Sequence, residues 1–179
     1  SLEEGLPFGR LATEYGTPRI VPLDSLDDQD MIVTVSGVGA PAASDQHVEP
    51  ADYVRAFELV REELARRGQS VAGMMTNEMG GFASVNGLVQ SAVTGVPVVD
   101  AACNGRAHPT GPMGSMGLAP EDQYLQTGVG GDPDAGRHVE IRVESTLDTA
   151  ADLIRSSADR AGGLVAVARN PVTARFARN

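Results

Sequence analysis

The run "MIVTVSGVG" at residues 31–39 constrains the chain most, because a β-branched stretch ending in glycines predicts a strand that runs straight into a loop. The segment after that loop predicts a helix. Pro50 suits a first helical turn, and Tyr53, Val54, Phe57, Val60 and Leu64 recur on one face at helical spacing. Gly68 stands past the last turn. "SVAGMM" (70–75) then returns as a buried strand, so the chain opens as strand, helix, strand.

The pattern continues along the chain. "RIVPL" (19–23) predicts a short strand ahead of the long one, and a weaker helix is expected around residues 83–94. "VPVVDA" (96–101), the alternating "HVEIRVES" (138–145) and "LVAVARNPV" (164–172) read as further strands. Between the last two, residues 146–161 read as a helix. Thr146 can cap it, Leu147, Ala150, Leu153 and Ile154 form its apolar face, and Gly162–Gly163 stop it. Roughly 35 residues after 101, rich in Gly, Pro and Met, have loop character up to "GVGGDPDAGR"; so long a loop in a compact domain is usually functional or poorly ordered. The expectation is a single α/β domain over 1–179, with a mostly parallel sheet, helices packed on it and a Rossmann-like layered architecture.

Composition removes several functions. A net charge of −10 argues against a nucleic-acid partner. All 14 basic residues are Arg, so Schiff-base lysine chemistry and a P-loop lysine are excluded. The one Cys excludes an internal disulfide and a multi-cysteine zinc cage, which fits a cytoplasmic setting. No apolar run is long enough to span a membrane, and no signal peptide opens the chain. "TGVGGDPDAG" lacks G-x-G-x-x-G and reads as turns, not as a nucleotide loop.

In open α/β sheets, ligands collect beyond the carboxyl ends of the strands. Three loops are expected to meet there: "SGVGAPAASDQH", "TNEMGG" and "DAACNGRAHPT". Glu78 stands at a strand-to-helix turn, with Gly80 and Gly81 allowing a ligand close to the backbone; the plainer reading is an acid at a helix start. Asp100 ends a β-branched run, where it can ligate a metal, act as a base, or merely begin a turn. Cys103 with His108 can form a thiolate–imidazole pair, or part of a zinc site completed by Asp100 or His47; a lone Cys is more often an inert small hydrophobe. Arg106 can hold an oxyanion or simply lie on the surface. His138 carries no expected chemistry, and Met113 and Met116 line a pocket or fill a core.

The succession "GVGAP", "NEMGGFASVNGL", "GVPVVDAACNGRAHP" resembles the N-terminal domain of the S-methyl-thiohydantoin desulfurase-like family. Glu78, Gly80, Gly81, Asn86, Pro97, Asp100, Gly105, Arg106 and Pro109 match that family's pattern. The commoner pattern carries neither Cys nor His at the positions of Cys103 and His108, so no family role transfers to them. The resemblance implies metal-assisted hydrolysis or desulfuration of a hydantoin- or thiohydantoin-like cyclic amide. By position and chemical type, Glu78, Asp100 and Arg106 are expected as catalytic residues, with Glu78 shuttling the proton and Arg106 steadying the developing anion, and Gly80, Gly81, Asn86 and Asn104 as substrate contacts. A divalent metal, zinc by donor type, would sit on Cys103, His108 and Asp100. The family's second, C-terminal domain is not in this chain, so a fragment or subunit is expected, in a homo- or hetero-oligomer whose other chain supplies that part. Two alternatives stand beside this: a non-catalytic half-site subunit, and a metal-independent Cys103–His108 amide hydrolase.

Overall fold

A computed structural model describes residues 2–104 and 112–179. Helix α1 (Leu2–Tyr15) leads into strand β1 (Ile20–Pro22), β2 (Met31–Gly39), α2 (Pro50–Arg66) and β3 (Val71–Thr76). A 3-10 turn at Ala83–Val85 and helix α3 (Leu88–Thr94) precede β4 (Val98–Ala102). Then come β5 (Tyr124–Gly130), β6 (Val139–Ser145), α4 (Leu147–Arg160), β7 (Leu164–Thr173) and the short α5 (Ala174–Ala177).

The strands form one sheet in the order β1-β4-β3-β2-β7-β5-β6. It is a mixed sheet. Three pairings, β1–β4, β4–β3 and β3–β2, are parallel, while β2–β7, β7–β5 and β5–β6 are antiparallel. The α/β class therefore holds and the mostly parallel expectation is corrected. Two strands are responsible: β7 runs antiparallel to β2, and β5, inside the stretch read as loop, runs antiparallel to both β7 and β6. By inserting between β6 and β7, β5 separates two strands that α4 does connect in parallel.

Each face of the sheet has its own core. Phe57, Val60 and Leu64 of α2 pack on Val33, Val35, Met74 and Val98. On the other face, Leu147, Ala150 and Ile154 of α4 cover Val143, Val165 and Val167. Leu153 lies outside that stripe and is exposed, against expectation. Thr146 stands at the N-cap but does not bond the backbone with its side chain; its hydroxyl meets that of Thr149 at 3.0 Å. Glu49 and Asp52 close a reciprocal capping box at the start of α2, with Pro50 in the first turn.

Helix α1 packs against the segment after β3. A Cβ on Gly5 would lie 2.5 Å from the carbonyl oxygen of Gly81, so only glycine permits this approach. Phe8 stacks at 5.3 Å on Phe82 and at 5.1 Å on Tyr53. The turn that carries Glu78 is thus braced from behind.

Candidate functional site

The parallel half of the sheet opens a crevice where its strands end, and the three expected loops do approach one another there. Asn77 is the junction. Its backbone carbonyl accepts the Cys103 thiol at 3.0 Å and the Asn104 N–H at 3.2 Å, which ties the loop after β4 to the loop after β3. Gly37 and Gly39, at the end of β2, border the same space.

Two adjoining cavities share Gly37, Gly39 and Asn77. The smaller, about 270 Å³, is lined by Glu78, Gly80, Gly81 and Asn86. Glu78 is half-buried, and its Oε1 lies 3.6 Å from where a Cβ on Gly80 would stand. The turn beneath it is pinned by the Thr76 hydroxyl, which lies 2.6 Å from the Ala83 carbonyl and 3.0 Å from that of Glu78. The side-chain oxygens of Asn77 and Asn86 are buried here without a hydrogen-bond partner among the described residues. Buried polar atoms of that kind call for a reason, and a site for a hydrogen-bonding ligand supplies one.

The larger cavity, about 620 Å³, runs under α4 and is lined by Gln126 and Arg169, with Arg155 and Asp159 among its other residues. Its polar floor crosses the antiparallel half of the sheet. Arg169 stands opposite Thr34 on β2 and opposite Gln126 on β5, so three neighbouring strands present polar side chains on one face. All three residues are buried. Beside them Asn170 adopts a left-handed backbone (φ 52°) at a bulge where β2 and β7 lose register. Its side-chain amide donates to Thr34 Oγ1 at 3.2 Å and to the Gly114 carbonyl at 2.8 Å, and its carbonyl accepts the Tyr124 hydroxyl at 2.5 Å. Burial pushes the Tyr124 phenol up to about 12, so it stays a donor.

The other candidate residues are more scattered. Cys103 is half-buried and packs with Val99, Met75 and Met116. Burial raises its pKa above the usual thiol range, against the pull of Arg169, so the group is held as a thiol. Asp100 is exposed and belongs to the opposite face of β4, since Val99, Ala101 and Cys103 share a cluster that alternation denies it. Asp100 and Cys103 therefore do not form a ligand pair. Among the described residues no group of three His, Cys, Asp or Glu side chains is placed to hold a metal ion. Gly105, Arg106, His108 and Pro109 lie outside the described residues. Asn104 is half-buried at the junction with Asn77, His47 Nε2 rests 3.5 Å from Glu49, and His138 is exposed. Met113 is exposed, while the Met116 sulfur accepts from the Thr34 hydroxyl at 3.8 Å.

A family model described as "S-Me-THD-like, N-terminal domain" matches residues 5–127. The chain belongs to the S-Me-THD-like family. The matched span includes the Glu78 turn and Asp100 and ends within β5, so Arg169 and Asn170 lie beyond it. Among solved structures, the crystal structure of a protein from Chromobacterium violaceum resembles this chain with a TM-score of 0.70 and 26% identity. The match covers 89% of this chain and 44% of that one, so this S-Me-THD-like chain spans less than half of that relative. No curated protein matches it. No described helix is long and apolar enough to cross a membrane.

Sequence reasoning missed Asn77, Gln126, Arg169 and Asn170. A signal for the last two was present: "ARNPV" puts a charge and an amide into an apolar strand, and a buried polar residue is the informative departure.

Proposed function

We propose that the smaller cavity receives a thiohydantoin-like five-membered ring and that the reaction there is hydrolytic desulfuration, with Glu78 moving the proton. One observation carries this reading: a half-buried carboxylate in a glycine-lined cavity that also holds two buried amide oxygens without partners among the described residues. A cyclic amide offers ring N–H donors that suit the Asn77 and Asn86 oxygens, and a flat ring suits a wall of glycine backbone. Family membership points to the same class of ligand.

The chemistry balances simply. Water adds to the ring carbon that bears the methylthio group, forming a C–O bond, and the C–S bond then breaks. Glu78 takes one water proton and passes it to the departing sulfur as methanethiol, while the other ends on the ring nitrogen, leaving a hydantoin. No step is routed through a metal, because Asp100 and Cys103 face apart. Cys103 has no part in this scheme; its thiol is hydrogen-bonded to the Asn77 carbonyl. The ring site would be completed by a C-terminal part such as the family description implies, supplied in the same or another chain.

The test is turnover of an S-methyl-thiohydantoin, read as methanethiol release, together with ring binding by calorimetry. Glu78→Gln is expected to lower kcat by about 10²–10⁴-fold, the range of a general acid–base group, with ring binding within a few-fold of the wild type. Undiminished turnover in Glu78→Gln would remove the assignment.

A further inference from the structure

We infer that Tyr53 is a catalytic residue of the smaller cavity, its hydroxyl donating a hydrogen bond to the carbonyl oxygen of the bound ring. The inference rests on the ring reading of that cavity and adds a second working group to it. Tyr53 belongs to the apolar stripe of α2, clusters with Ala56, Leu59 and Val129, and is 3% exposed. Phenylalanine would fill that core position as well, so the hydroxyl is what needs a reason. It lies 3.7 Å from where a Cβ on Gly37 would stand, at the glycine wall of the cavity that Glu78 and Asn86 also line. There it makes no hydrogen bond among the described residues, whereas Tyr124, equally buried, gives its hydroxyl to Asn170. A buried phenol ordinarily finds a partner, and an acceptor arriving in the cavity supplies one.

The group is placed to donate. Burial pushes its phenol up to about 12, so it stays protonated at neutral pH. Phe8 clamps the Tyr53 ring at 5.1 Å and stacks on Phe82 at 5.3 Å, so one side chain steadies both the hydroxyl and the turn that carries Glu78. A donor fixed in advance costs no reorganisation as charge develops. The ring supplies the matching acceptor. Its N–H groups suit the Asn77 and Asn86 oxygens, but those oxygens only accept, and the ring carbonyl needs a donor. When water adds to the C=N bond beside that carbonyl, the displaced electron pair moves onto the ring nitrogen and, by conjugation, onto the carbonyl oxygen. Tyr53 tightens its bond to that oxygen and keeps its own proton. The nitrogen then takes the second water proton and the added oxygen forms the new carbonyl. The C–S electron pair leaves as methanethiol, on the proton that Glu78 carries.

The experiment compares the wild type with Tyr53→Phe in methanethiol release from an S-methyl-thiohydantoin, in urea midpoint, and in calorimetric binding of hydantoin and imidazolidin-2-one (the same ring without the second carbonyl). Tyr53→Phe should lower kcat by about 10²–10³-fold, as loss of one such donor does, with the urea midpoint unchanged because no bond within the fold is lost. The wild type should prefer hydantoin by at least about fivefold, the worth of one neutral hydrogen bond, and Tyr53→Phe should not. Turnover undiminished in Tyr53→Phe overturns the inference and leaves the ring reading standing. A wild type that neither binds hydantoin nor releases methanethiol removes the ring reading, and the role of Tyr53 with it. Where the ring binds without turnover, the carbonyl preference decides: lost in Tyr53→Phe it upholds the inference, kept it contradicts it. If Tyr53→Phe fails to fold, a wild-type crystal soaked in hydantoin decides in the same way. A ring carbonyl within hydrogen-bond distance of the Tyr53 hydroxyl upholds the inference, and one turned away from it contradicts it.

Discussion

Asn170 shows how one residue can hold a site floor in place at a local cost. Its left-handed backbone disfavours any side chain with a Cβ by roughly 1–2 kcal/mol, and asparagine tolerates it best after glycine. The return is three buried hydrogen bonds, to Thr34, Gly114 and Tyr124. Asn170→Ala loses all three while the backbone penalty stays, so a loss of about 3–5 kcal/mol is expected from the buried partners left unsatisfied. Asn170→Gly removes the same bonds but relieves the backbone, and should be less damaged than Ala by about 1 kcal/mol. Urea melts of the two variants beside the wild type check both the size and the order. If Gly is no better than Ala, the backbone is not strained in the way its φ implies.

At the scale of elements, α1 is the piece that positions the Glu78 turn, and it is also the piece that the sequence concealed. Gly5, Pro7 and Gly9 sit inside it, and such residues cost about 1 kcal/mol per Gly and 3 per Pro in a helix interior. The helix is held by packing, which single-chain periodicity does not report. Gly5→Ala raises helix propensity yet places a Cβ 2.5 Å from the Gly81 carbonyl. The clash outweighs the propensity, and a net loss of about 1–2 kcal/mol is expected, with faster amide exchange across 78–86. Gly9→Ala would meet only the Val85 side chain at 3.2 Å and should leave that exchange near its original rate. Hydrogen-exchange mass spectrometry of 78–86 distinguishes the two.

Strand β5 escaped notice for the opposite reason. "YLQTGVG" has neither alternation nor an apolar run, because it is buried on both faces, with Thr127 bonded to the Ala56 carbonyl and Gln126 lining the larger cavity. By contrast β2 and α2 were legible nearly to the residue, since their patterns answer to the core alone. The Glu78 turn was legible from its glycines, whereas Asp100, expected at a strand end, lies in the middle of β4 and is exposed. Arg169 was hidden because cross-strand neighbours, which give it its meaning, are not adjacent in the sequence.

Taken whole, the molecule carries excess negative charge and spends much of its arginine on one seam between α2 and β6. Glu63, buried at 8% exposure, receives Arg66, Arg67 and Arg142, while Arg67 also reaches Glu144 and Arg55 spans Glu62 and Glu140. The hydrogen bond from Arg67, helped by the other guanidinium charges, holds the Glu63 carboxyl below its ordinary 4.5. Its stabilising contribution is therefore present above that value and is lost as pH falls through the depressed one. Glu63→Gln should be less stable than the wild type at pH 7, with the gap in urea midpoint narrowing below pH ~4. A gap independent of pH would show that packing, not charge, is what Glu63 supplies. The order of the sheet has one more consequence, and it concerns time. The strand bearing Arg169 and Asn170 is the last of the seven to leave the ribosome, yet it lies between β2 and β5, in the middle. Until it arrives, both of those neighbours present raw edges, and the crevice has no floor. Ligand recognition thus cannot begin before β7 has emerged. It waits for that insertion, which joins the two halves of the sheet and builds the crevice floor in the same step.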